Sequence, residues 1–290
     1  MLRRIGSALF VLILLAGAAA ADDKPLRGVA LVIGQSDYTG TLPKLANPKN
    51  DATAMGDLLG KLGFQVTSAF DDDRSKLADQ LTQFEATAKD ADVALVYYSG
   101  HGIEAGGVNY LVPTDADLSS PSKAGATLLP VTDLLDDLAK TVPVTIVLLD
   151  ACRSDAFPAG TMIQPPDASA PIEAQATGLG ELRGPAPIAK PGVPADNLGM
   201  VIGFAASPGQ PALDGAPGDQ NSPYAAALLK HLAAGGYSFG DVMTMVSSSL
   251  RRSALIAATS VLSISATLPK LRIRRSDEFT QGSCRALVLR

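Results

Sequence analysis

The 290-residue chain has only two cysteines and two histidines, and it lacks any surplus of positive charge: 24 lysines and arginines stand against 29 aspartates and glutamates, for a net charge of −5 and a pI near 5.0. No stretch gathers basic residues into a stripe, so the electrostatic footprint that a phosphate backbone requires is missing. Nucleic acid is therefore not expected as a partner. The cysteines, Cys152 and Cys284, allow one disulfide at most. Cys152 closes a strand-like apolar run while Cys284 sits in a polar tail, and these contexts argue against a bridge. No acidic loop has EF-hand spacing, so no metal and no other cofactor is expected. No internal repeat is present.

What the chain does contain is apolar sequence in short runs. Hydrophobic residues make up 47% and charged residues 18%, ordinary proportions for a folded protein of one domain or two small ones. The first stretch, MLRRIGSALFVLILLAGAAAADD, has two arginines, an apolar run and then small residues. This is the pattern of a secretory signal over residues 1–21, cut near Ala20 or Ala21, and it predicts a mature protein that is periplasmic or secreted. The other reading is an uncleaved anchor, because residues 5–21 approach the shortest span that crosses a bilayer. No cysteine stands near the cut, which disfavours a lipid-anchored lipoprotein.

Beyond the signal, strand and helix patterns alternate. GVALVIG (28–34), FQVTSAF (64–70), DVALVYYSG (92–100), VPVTIVLLDA (142–151) and GMVIGFAAS (199–207) are short apolar runs of the kind that form buried strands. A helix from about Asn50 carries Met55, Leu58, Leu59 and Leu62 on one face, and a second carries Leu77, Leu81, Phe84 and Ala88. Others are expected near 131–140, from Ser222 with Pro223 at its first position, and from Phe239. GGVNYLVPTD (106–115) reads as a hairpin or edge segment ending at Pro113. This alternation predicts an α/β fold with a mostly parallel central sheet.

Residues 158–198 turn to proline, alanine and glycine without hydrophobic period, which reads as a long linker. Residues 251–290 have scattered basic residues and no amphipathic period, fitting a loosely ordered tail or a shifted reading frame.

His101, in YYSGHG, and Cys152, in LLDACRS, both fall just past the carboxyl ends of predicted parallel strands. Those ends line the ligand crevice of open α/β sheets, so residues 51 positions apart could meet there. The glycines flanking His101 are expected to leave its imidazole standing free and to admit a substrate backbone. Each residue also has a plain reading, the histidine as a turn residue and the cysteine as a small buried hydrophobe.

YYSGHG followed by LLDACRS resembles the caspase-like cysteine peptidases, the clan of caspases, metacaspases and paracaspases, and most of all their bacterial members. The likeness extends over RGVALVIGQSDY, LANPKNDATAMGDLLGKLGFQV and ASPGQPALDGAPGDQNSPYAAALLKHL, and the histidine-to-cysteine spacing is a known mark of caspases. The resemblance implies a three-layer α/β/α caspase-like fold, with residues 25–157 as a large-subunit-like region, 158–198 as the linker, 199–250 as a small-subunit-like region and 251–290 as an irregular tail. It implies a cysteine endopeptidase acting on proteins or peptides, with Cys152 as nucleophile, His101 as general acid and base, and the amides of Gly102 and Cys152 as the oxyanion hole. Asp51, Ser99 and Asp150 match substrate-binding positions that select arginine or lysine, against the plainer readings of Asp51 as a favourable charge at a helix start and Asp150 as a turn cap. Self-cleavage is expected at Arg183 or Lys190 in the linker, against the plainer reading of a solvated surface loop. Asp71 to Asp73 read as a solvated turn and helix start, and His231 as a favourable cation at a helix end. A monomer is expected, with no membrane contact beyond a retained anchor. The alternative is a catalytically inert caspase-like scaffold or binding module.

Overall fold

The computed structural model describes residues 26–40, 42–152, 160–166, 168–175, 199–205 and 218–256, together with 212, 214–215, 264–266, 271–272 and 288–289. Residues 1–21, Arg183, Lys190 and Cys284 lie outside the described residues, so the expected signal, self-cleavage sites and cysteine pairing lie outside them too.

The first strand, β1 (Gly28–Gly34), is buried along its whole length because helices cover both of its faces. Its side chains alternate between them: Ala30 and Val32 point into one core, Val29, Leu31 and Ile33 into the other. Around it run α1 (Pro48–Lys61), β2 (Gln65–Phe70), α2 (Arg74–Ala88), β3 (Val93–Ala105) and β4 (Val108–Leu111). Then come α3 (Pro121–Thr127), β5 (Leu129–Pro130), α4 (Val131–Thr141), β6 (Val144–Cys152), β7 (Met162–Ile163) and β8 (Ile172–Gln175). The chain continues through β9 (Gly199–Phe204), α5 (Pro223–Ala234), α6 (Phe239–Ile256) and three short strands, β10 (Ile264–Ala266), β11 (Leu271–Arg272) and β12 (Val288–Leu289).

The main sheet has the order β10-β9-β6-β3-β1-β2. Along this path every pairing is parallel except β9 with β10, while β4, β5, β7 and β8 join off it by antiparallel pairing. On one face α1, α5 and α6 contribute Met55, Leu59, Leu228, Leu232, Met243 and Val246; on the other, α2 and α4 contribute Leu77, Leu81, Phe84, Leu134 and Leu138. Each buried leucine of this kind stabilises the fold by about 1.5–3 kcal/mol over an exposed one. The result is the expected three-layer α/β/α arrangement, and the helices start where the sequence signals lie. Asp73 caps α2 by accepting from the Lys76 amide, and Ser222 caps α5 by accepting from the Ala225 amide at 2.9 Å.

Four local expectations change. β3 does not end at Gly100 but runs on through His101 to Ala105, because the turn at Gly106 and Gly107 folds β4 back onto it. The 158–198 stretch, expected to be without regular structure, contains β7 and β8, which pair with each other; β8 also joins β3. Ile163 and Ala174 are buried under that hairpin, and two isolated apolar residues leave no readable period in a chain. The 251–290 tail is not wholly irregular, since α6 reaches Ile256 and β10 extends the main sheet beside β9. Finally, Asp71 to Asp73 do not form a solvated turn. Asp72 is 1% exposed and ion-paired with Lys76, while Asp71 has a left-handed φ of 51°. Its carboxylate accepts from the Ser36 and Asp37 amides and pairs with Lys49, contacts that hold this costly conformation.

Candidate active site

In the parallel ladder between β3 and β6, Ser99 pairs with Asp150, Gly100 with Ala151 and His101 with Cys152. Adjacent strands lie about 4.8 Å apart, so this register brings together backbone positions 51 residues apart in sequence. Side chains two apart on a strand share a face, which puts Tyr97, Ser99 and His101 on the side of the sheet that α1 and α5 cover. β1 stops at Gly34, opposite Ser99. His101 and Cys152 therefore lie at the carboxyl edge of the parallel sheet, inside strands that outrun their neighbour.

The imidazole of His101 is fully buried and held on two sides. Its Nε2 lies 2.9 Å from the Pro43 carbonyl, and the Tyr38 ring packs on it with centroids 4.4 Å apart. A carbonyl oxygen only accepts, so Nε2 carries the proton of the neutral ring and Nδ1 is the basic nitrogen. The flanking glycine is also small for a reason other than access. A Cβ at Gly100 would come 2.7 Å from the hydroxyls of both Tyr38 and Tyr98. The expectation of a free-standing imidazole is thus corrected: packing of two tyrosines against the strand dictates that glycine.

Two residues before the His101–Cys152 pair lies a buried carboxylate pair. Asp51, in the first turn of α1, accepts from the Asn221 side chain at 2.9 Å, the Ser222 amide at 3.0 Å and the Ser99 hydroxyl at 3.2 Å. Asp150, inside β6 and not a turn cap, accepts on Oδ2 from the Tyr97 hydroxyl at 2.9 Å and from the Ser222 hydroxyl. Its Oδ1 is buried and has no hydrogen-bond partner among the described residues. Burial raises both carboxyls, Asp51 to about 6 and Asp150 to about 8, the latter helped by repulsion from Asp51. Burial and mutual repulsion thus favour a proton kept on the pair near neutral pH. Desolvation and the nearby Asp150 carboxyl push the Tyr97 hydroxyl well above its usual value.

Sequence reasoning brought Asp51, Ser99, His101, Asp150 and Cys152 to this edge, and the ladder and hydrogen bonds join them there. It missed Pro43, Tyr38, Asn221 and Asp214, and it read Ser222 as a helix cap only. Asp214 donates no obvious signal in sequence, yet its charge adds to the upward shift of both carboxyls, and its own carboxylate accepts from the Ala46 amide at 3.2 Å. Ser222 does three things at once: it caps α5, donates to Asp150 and offers its amide to Asp51. His231 lies in the last turn of α5 as expected, with Nε2 2.9 Å from the Ser249 hydroxyl. Among the described residues no three metal-ligating side chains cluster, and no helix is long and apolar enough to cross a membrane.

The histidine and the cysteine share a rung at the carboxyl edge of a mostly parallel sheet, and a solved structure shares this three-layer α/β/α architecture. Caspase-1 from Spodoptera frugiperda superposes with a TM-score of 0.56 over 86% of this chain and 91% of that one, at 18% identity, which speaks for the fold alone. The caspase-domain family model matches residues 27–274, and the chain belongs to that family. Among its relatives are the mucosa-associated lymphoid tissue lymphoma translocation protein 1 of Homo sapiens, 32% identical over 133 residues, and its Mus musculus homolog, 31% identical over 137. These alignments cover 45% and 47% of this chain and 16% of each relative.

Proposed function

We propose that the chain is an exported cysteine endopeptidase that cleaves proteins or peptides after arginine or lysine and acts as a monomer. The observation that carries this reading is the ladder itself, which sets His101 opposite Cys152 and Ser99 opposite Asp150. Cys152, as thiolate, attacks the scissile carbonyl, and the amides of Gly102 and Cys152 receive the developing oxyanion. His101 takes the thiol proton at Nδ1 and passes it to the leaving amine, while the Pro43 carbonyl holds Nε2–H and so selects the tautomer. A free thiol titrates near 8.5, so transfer to His101 is what makes the nucleophile available at neutral pH.

The basic preference rests on the carboxylate pair. Two buried carboxyls that share a proton, one with an oxygen left unpaired, form a poor resting arrangement that a guanidinium or ammonium improves by supplying charge and donors together. An acidic substrate residue would instead bring negative charge into a buried site where the carboxyls of Asp51, Asp150 and Asp214 already repel one another. Export rests on the N-terminal sequence pattern.

Fluorogenic peptides ending in Arg, Lys or Asp, offered to protein starting at Asp22 with Cys152→Ala as control, test the proposal. Release after Arg or Lys that disappears in Cys152→Ala is expected. Release after Asp alone would overturn the basic specificity, and silence on all three would favour the inert scaffold.

A further inference from the structure

The two hydroxyls that crowd Gly100 suggest a task beyond packing. Past Ser99 no strand among the described residues lies on the β1 side of β3 until β4 begins opposite Gly102. His101 falls in that gap, and its peptide groups find side chains in place of a strand. Its N–H donates to the Tyr38 hydroxyl at 2.7 Å, and its carbonyl accepts from the Tyr98 hydroxyl at 2.5 Å. Tyr98 in turn accepts from the Val112 amide at 3.3 Å, which anchors the ring oxygen against the chain just beyond β4.

The direction of the next amide follows from strand geometry. Ala105 and Val108 are joined by a two-residue turn whose glycines have φ of 61° and 84°, the form that closes on a hydrogen-bonded pair. Bonded and non-bonded pairs alternate along an antiparallel ladder, so Ile103–Tyr110 is bonded and Gly102–Leu111 is not. The Gly102 N–H thus points away from β4, toward β6 and Cys152. That N–H belongs to the same planar peptide unit as the His101 carbonyl, and in a trans peptide the two point in opposite directions.

We propose that Tyr98 is a positioning residue for the Gly102 amide, with Tyr38 doing the same for the peptide that precedes His101. By holding the His101 carbonyl, Tyr98 fixes the plane in which the Gly102 N–H lies. It also draws electron density toward that oxygen, which makes the N–H a better donor. Preorganised donors of this kind act without rearrangement when negative charge appears, which is where oxyanion stabilisation gains its strength. The inference rests on the reading of Gly102 as an oxyanion donor, but the orientation of the amide can be tested without it.

Tyr98→Phe removes one oxygen from a buried ring. In 15N-labelled protein the Gly102 amide resonance is expected to move, with kcat falling about tenfold at unchanged KM, a part of the 10²–10³ lost when a whole oxyanion donor is removed. The alkylation rate of Cys152 by iodoacetamide, which needs the thiolate but no oxyanion donor, should stay within about twofold. Tyr38→Phe is expected to move the His101 amide and the pH profile of alkylation. An unmoved Gly102 resonance in Tyr98→Phe, or an alkylation rate that falls as far as kcat, overturns the proposal. If the wild-type chain hydrolyses nothing, the peptidase reading fails while the Gly102 resonance still decides this one. If Tyr98→Phe does not fold, Tyr38→Phe decides, and an unmoved His101 amide there overturns the idea.

Discussion

Replacing Asp150 by asparagine tests the electrostatics of the buried pair through stability, with no substrate involved. In the folded chain burial raises the Asp150 carboxyl to about 8, against 3.8 in the unfolded chain. Between these values the folded state keeps a proton that the unfolded state has released, so stability falls as pH rises. Far above the unfolded pKa the slope is about 1.4 kcal/mol per pH unit, and it flattens near pH 8 as the folded carboxyl ionises. From pH 6 to pH 8 this single group should remove about 2 kcal/mol of stability. Asparagine keeps the acceptor that Tyr97 and Ser222 use but binds no proton, so Asp150→Asn should lack that part of the decline. Urea unfolding of both proteins at pH 6 and pH 8 reads the difference directly. Whatever the substitution does at one pH, the gap between the proteins should shift by about 2 kcal/mol in favour of the variant on going to pH 8. Parallel pH dependences would mean that Asp150 is ionised throughout, and the argument for a shared proton would fall.

Two further outcomes are expected, one from the packing at Gly100 and one from the sequence of the linker. Gly100→Ala puts a Cβ 2.7 Å from the Tyr38 and Tyr98 hydroxyls, so the strand at His101 must shift; a loss of about 1–3 kcal/mol is expected from overpacking, together with at least a tenfold drop in peptide hydrolysis, and a variant of unchanged activity would refute the idea that the two tyrosines hold the strand at His101. Incubation of the purified chain should produce fragments ending at Arg183 or Lys190, seen by mass spectrometry, and these should be absent with Cys152→Ala; cutting by that variant would assign the event to another protease.

Much of the chain could be read before folding because local chemistry dictates it. The continuous apolar runs of β1, β3, β6 and β9 mark strands covered on both faces, and the spacing of Leu77, Leu81, Phe84 and Ala88 marks a helix with one buried side. Ser222 with Pro223 announces a helix start wherever it occurs. The carriers of the proposed chemistry, His101 and Cys152, stand out because each ends an apolar run with a reactive side chain, and the three matching residues, Asp51, Ser99 and Asp150, came from resemblance to a family. The short strands β7, β8 and β10 stayed hidden, since two to four residues with one or two apolar side chains carry no period.

The sequence by itself determined which of the longer apolar segments become strands and helices, and which residues could act as nucleophile, base or anion at their ends. Only the tertiary structure decided that His101 and Cys152 share a rung, that Pro43 sets the histidine tautomer, and that Ser222 bridges two carboxyls more than 70 residues from either. The reason is that register and close approach are properties of paired strands and packed helices. A carbonyl, an amide or a hydroxyl looks the same at every position until the fold aims it at a partner.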